Sequence, residues 1–138
     1  MLKFDEVKEG DTLPPLVRGP ITKEEIAGYS QAAGDPNPMH VDEEFAKAAG
    51  YPGVFAQGML SMGYLGQYVT QLAGVGNVKL LQSRFVKITW PGETITCRAR
   101  VAGKEVDAQG NRLVRVDLST ENETGEVKLS GRAVVTAS

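Results

Sequence analysis

The stretch Gly58 to Ala73 sets Met59, Leu60, Met62, Tyr64, Leu65, Tyr68, Val69 and Leu72 at spacings that surround a helix axis on nearly every side. A helix apolar all round must be buried, so the rest of the chain has to supply its cover. Gly63 and Gly66 within it lower helix propensity by about 1 kcal/mol each against alanine, which predicts close approach of another backbone on that face. Downstream the period changes to two. Ile95, Cys97, Ala99 and Val101 alternate with polar residues, then Val114, Val116 and Leu118, then Val127, Leu129, Gly131, Ala133 and Val135, with Lys128, Ser130 and Arg132 on the opposite parity. These are strands with one buried face. Turn signals at Pro91-Gly92, Gln109-Gly110-Asn111 and Thr124-Gly125 join them by short connections, so neighbours are antiparallel. Val78 to Trp90 reads as a less regular strand, with a bulge around Phe85, Val86 and Ile88. Pro14-Pro15 ahead of Leu16 and Val17 marks a short edge strand near the start. One buried helix and one antiparallel sheet with a single wet face make an α+β fold in which the sheet curls around the helix.

Length and charge narrow the function classes. The chain has 138 residues, one domain's worth, and a net charge of −2 with scattered basic residues, so no electrostatic footprint for nucleic acid is present. No apolar run reaches the roughly 20 residues of a membrane span. The single cysteine, Cys97, has no partner for an internal disulfide and falls on the buried parity, and the start Met1-Leu2-Lys3-Phe4-Asp5 lacks the apolar region of a signal peptide. A cytoplasmic location is the expectation.

The chemistry concentrates just before the central helix. Thr22-Lys23-Glu24-Glu25 is a capping box, and Ile26, Tyr29 and Ala33 make an apolar stripe that ends at Gly34, a favoured left-handed C-terminal residue. That helix delivers the chain into Asp35-Pro36-Asn37-Pro38-Met39-His40. The prolines bias Asp35 and Asn37 away from helix and stiffen the loop. His40, the only histidine, is the natural proton-transfer group at neutral pH, with Asp35 as its neighbouring carboxylate. A capped turn with an ordinary polar histidine fits the same spacing. Asp42 then caps a short helix with Phe45, Ala48 and Ala49 on one face.

The run Tyr29 to Asp42, with its Gly-Asp-x-Asn-Pro-x-His core, followed by Ala46 and by Gly58-Met59-Leu60, resembles the signature of the MaoC-like (R)-specific enoyl-thioester hydratases and dehydratases. Supporting features extend from Phe4 to Gly10 and on to Phe85 and Pro91-Gly92. The resemblance implies a hot-dog fold over residues 1–138, with Gly58 to Ala73 as the enclosed helix. It also implies a homodimer, or a heterodimer with a related subunit, and an acyl-CoA or acyl-carrier-protein substrate, with neither cofactor nor metal. On the same ground Asp35 and His40 are the implied catalytic pair, the Gly58 N–H is the donor to the thioester carbonyl, and Asn37 supports the loop. One departure stands out: the family usually has histidine before this glycine, and here the residue is Gln57. Because the carbonyl contact is to a backbone N–H, the change is expected to alter tuning or loop geometry. Two rival readings keep the fold but differ in chemistry: a thioester hydrolase, and a noncatalytic acyl-thioester-binding subunit.

Overall fold

The computed structural model describes residues 1–138 as β1 (Leu16–Arg18), α1 (Lys23–Ala33), a 3-10 turn (Pro38–His40), α2 (Glu43–Ala48), α3 (Gly58–Ala73), β2 (Val78–Phe85), β3 (Ile95–Val106), β4 (Arg112–Glu121) and β5 (Val127–Thr136). The strands form one antiparallel sheet in the order β1-β3-β4-β5-β2, so β1 and β2 are the two edges. Its concave face packs on α3 through Leu65, Tyr68, Val69 and Ala73 against the inward residues of β3, β4 and β5. Each such aliphatic side chain removed from water contributes about 1.5–3 kcal/mol, which makes this interface the main source of stability. Cys97 is fully buried there, and burial pushes its thiol up to about 11. Burial also raises the Tyr68 phenol to about 12, while its hydroxyl donates to the Pro14 carbonyl at 2.7 Å.

A smaller cluster of Ile21, Ile26, Ala56, Leu60 and Ile95 locks α1 to the start of α3. The local signals act as expected at α1: Thr22 accepts from Glu25 N, Glu25 answers with its carboxylate, and Gly34 closes the helix at φ 67°. The chain crosses no membrane by helix, since no helix is long and apolar enough to span one.

Four expectations need correction. The central helix is covered on one side only, because Met59 and Gly63 are exposed and Met62 is half-buried. Neither Gly63 nor Gly66 meets another backbone: an added Cβ would find nothing within 4 Å at Gly63 and only the Leu81 side chain at Gly66. The close backbone approach lies instead at Gly131, where a Cβ would sit 2.1 Å from the Gln82 carbonyl oxygen. In α2 the buried residue is Ala46, and Phe45 faces outward.

The remaining correction bears on the site. The strand beginning at Val78 ends at Phe85, not Trp90, and Lys128 is buried at 1% exposure despite lying on the outward parity. Both follow from one irregularity. Thr120 pairs with Leu129 and Glu121 with Val127, so Lys128 is the extra residue of a bulge in β5 and its side chain turns inward. On the other flank, the amides of Val86 and Lys87 both donate to the Lys128 carbonyl, which ends the ladder and frees the chain beyond β2. The buried ammonium is held by the Ile88 carbonyl at 2.8 Å, Glu126 at 2.6 Å and Glu93 at 3.1 Å. Glu93 in turn accepts from Trp90 N and Asn122 Nδ2. This network fixes the irregular segment 86–94 against the sheet.

Candidate active site

Segment 86–94, the start of α3 and the 3-10 turn converge on a cavity of about 280 Å³ walled by His40, Phe55, Gln57, Gly58, Ser61, Phe85 and Thr89 among others. That volume lies just below the usual range of about 300–1,000 Å³ for small-molecule pockets. The sequence builds the loop that delivers His40 by local capping. The Asp35 carboxylate accepts from Asn37 N at 3.2 Å, Asn37 Oδ1 accepts from Met39 N at 3.1 Å, and Asp42 accepts from Phe45 N at 3.1 Å. The two Asx turns and the Asp42 helix cap restrain the loop in series, so the capped-turn reading holds, and His40 at its end lines the cavity.

His40 is 9% exposed, so the loop is surface-exposed only in part. Its Nδ1 lies 2.7 Å from the Phe55 carbonyl oxygen. A carbonyl only accepts, so Nδ1 carries a proton and donates it, which leaves Nε2 as the ring nitrogen that can take one up. The Phe55 ring meets the imidazole edge-on at 5.0 Å and is itself flanked by Tyr51 and Trp90. Segment 54–57 is also tied on both sides, by Val54 N to Glu43 and by Ala56 N to the Thr89 carbonyl. The Glu43 carboxyl is held below its ordinary range, chiefly by its hydrogen bond with Lys23.

Gly58 opens α3, and its N–H donates to no carbonyl of the protein. The preceding Gln57 provides no side-chain cap, because its amide turns away to donate to the Ile26 carbonyl at 2.9 Å and Ser30 Oγ at 2.8 Å. The positive end of a long helix is therefore uncapped at the cavity wall, an arrangement suited to a developing negative charge. A Cβ at Gly58 would touch the Phe85 ring at 3.4 Å, so glycine keeps the approach to this N–H open.

The structure thus brings His40 and Gly58 to one wall. Asp35 and Asn37 are placed in the loop leading to His40 and do not line the cavity. Sequence reasoning missed Phe55, Ser61 and Thr89. Ser61 alone had a readable signal, as a polar residue within an apolar helix.

A sheet wrapped on one long helix, with that helix's free N-terminus at a side cavity, defines the hot-dog class of domains. Within it, the chain belongs to the MaoC like domain family, whose pattern matches residues 8–123. It is 30% identical over 102 residues to the (R)-specific enoyl-CoA hydratase of Rhodospirillum rubrum, covering 72% of this chain and 69% of the relative. Among solved structures, the R-hydratase PhaJ1 of Pseudomonas aeruginosa superposes with a TM-score of 0.85 at 23% identity, covering 98% of this chain and 84% of that one. A chain of the ChsH1–ChsH2 complex of Mycobacterium tuberculosis gives 0.80 at 22% identity, with 95% and 98% covered. Several matched relatives are much longer, and the chain spans only 11%, 16% and 32% of three of them.

Proposed function

We propose that the chain catalyses (R)-specific hydration of trans-2-enoyl thioesters, or the reverse dehydration of (R)-3-hydroxyacyl thioesters, on coenzyme A or acyl carrier protein in fatty-acid metabolism. The observation that carries this reading is the pairing, on one cavity wall, of a histidine with Nε2 free to accept and a helix N-terminus with an unused N–H. In the hydration direction, water oxygen bonds to the β-carbon while His40, assisted by Asp35, takes one of its protons. Charge that develops on the thioester oxygen is met by the Gly58 N–H. The α-carbon then receives a proton from the same Asp35 and His40 pair, which returns to its starting state, so one water is added across the double bond and nothing else is consumed. Asn37 holds the turn that carries His40.

The acyl-thioester substrate is the small-molecule partner, and a homodimer, or a heterodimer with a related subunit, is the working assembly. A cytoplasmic location belongs to the same reading and rests on the sequence features alone. The test is loss of the enoyl-thioester absorbance band with crotonyl and longer substrates on both carriers. Because hydrolysis also destroys the conjugated band, free thiol released in step with its loss would assign a hydrolase instead. Tight binding of the thioester with neither change would assign a noncatalytic subunit.

A further inference from the structure

Apart from Lys128, the buried polar side chains of this protein are not scattered. Of His40, Gln57, Ser61, Thr89 and Thr120, the first four wall the same cavity, while the Thr120 hydroxyl accepts from Leu129 N within the sheet. Gln57 is the most enclosed of the four, at 2% exposure, and no donor of the protein reaches its Oε1. The orientation of that amide is fixed: the Ile26 carbonyl only accepts, so the nitrogen must face it and the oxygen must face away. A buried acceptor left against hydrocarbon is unfavourable, and native proteins fill such positions with a donor. The apolar acyl chain offers none.

We propose, on the basis of the hydratase reading above, that Gln57 is a positioning residue for the water of the reaction. Its Oε1 accepts a hydrogen bond from that water beside His40, or from the 3-hydroxyl in the reverse direction. The Nε2 bonds to Ile26 and Ser30 in α1 hold the acceptor rigid, and the Ser61 and Thr89 hydroxyls extend the polar wall. Water held this way keeps one lone pair aimed at the β-carbon while His40 takes its proton. The polar wall also orients the substrate, since the acyl tail gains nothing from lying against it.

Two measurements test this. Gln57→Met keeps the length but removes the oxygen, and it is expected to lower kcat about tenfold while KM stays within about twofold, as for a group used after substrate is bound. Gln57→His, whose ring can donate with one nitrogen and accept with the other, is expected to recover most of that loss. A purely structural role would instead lower the melting temperature and leave the kcat to KM split unmoved. In a high-resolution crystal structure of the wild-type protein, a water or ligand oxygen is expected within about 3.2 Å of Oε1. A Met variant with wild-type kcat, or an Oε1 enclosed by apolar atoms alone, overturns the proposal. If the wild-type protein hydrates no enoyl thioester, the hydratase reading falls by itself. The crystallographic arm then decides whether Gln57 holds water, as it does if the Met variant fails to fold.

Discussion

Asp35→Asn keeps an oxygen to accept from the Asn37 amide, and His40→Gln keeps a donor for the Phe55 carbonyl, so each change removes chemistry while retaining the local turn. Both variants are therefore expected to stay folded and to lower kcat by about 10² or more, the scale of general acid-base catalysis. Wild-type hydration by either purified variant would withdraw its residue from the site. The Gly58 N–H is tested by proline. Gln57 sits at φ −61° and ψ 138°, a conformation that a following proline favours, and position 58 is the first of the helix, where proline is well tolerated. Gly58→Pro should fold yet lose about 10² to 10³ in rate, the measured worth of one oxyanion donor elsewhere. Gly58→Ala keeps the N–H and adds a methyl against the Phe85 ring, so it should lose less; equal rates in the two variants would place the carbonyl contact on another group. The loop carrying Asp35 and His40 and the helix start at Gly58 were legible from strong local signals, proline stiffening and a glycine ahead of an apolar helix, although only His40 and Gly58 line the cavity. The setting of Gln57 was not, since it depends on the Ile26 carbonyl lying across from it, 31 residues away in sequence.

Elements whose burial follows a regular period were readable in kind and facing, although β3 runs on to Val106 and β4 extends from Arg112 to Glu121, beyond the alternation seen in sequence. The central helix begins at Gly58 and stops after Ala73 as the pattern predicts, and β3 and β4 bury the expected parity. The pattern fails where β5 bulges at Lys128, because one inserted residue turns a polar side chain inward without altering composition. That lysine holds the segment 86–94, so its loss has two readable effects. Lys128→Met keeps the bulk but leaves Glu93 largely buried without its cation, a change expected to cost about 3 kcal/mol and to lower the melting temperature by several degrees. The second effect is on pH. Lys128, with Lys87, holds the Glu126 carboxyl below its ordinary range. A carboxyl lowered on folding contributes stability above its unfolded pKa, and that contribution fades as the pH falls through its folded pKa. The wild-type advantage over Lys128→Met should therefore narrow as acid is added below the ordinary glutamate range near 4.5. Melting curves of both proteins from neutral to acid pH check this, and a constant gap would show that Glu126 is not coupled to the lysine.

The molecule as a whole leaves one flank incomplete. The free edge strand β2 presents unpaired backbone groups along Val78–Phe85, and beside it Met59, Phe85 and Val86 are exposed, at 53%, 56% and 47%. Together with half-buried Met62 and Leu81 they line an open groove of about 970 Å³. The sequence places Met59 and Met62 in an apolar helix and has Phe85 and Val86 break a strand's alternation, yet nothing in a single chain covers Met59, Phe85 or Val86. A second chain pairing along β2 would satisfy the edge and bury the open side of α3 in one step, which closed two-fold symmetry allows with the same patch on both subunits. Because Phe85 also contacts the Gly58 position, such pairing would close the cavity beside His40 and Gly58 from outside. The expected outcome is a dimer by light scattering at micromolar concentration. Met59→Glu places a charge on the exposed face of α3 without entering the core of the single chain. It should therefore yield a folded monomer with unchanged circular dichroism and sharply reduced hydration activity. A wild-type protein that is monomeric and fully active would show that the open flank is tolerated as it stands, and that the cavity is complete within one chain.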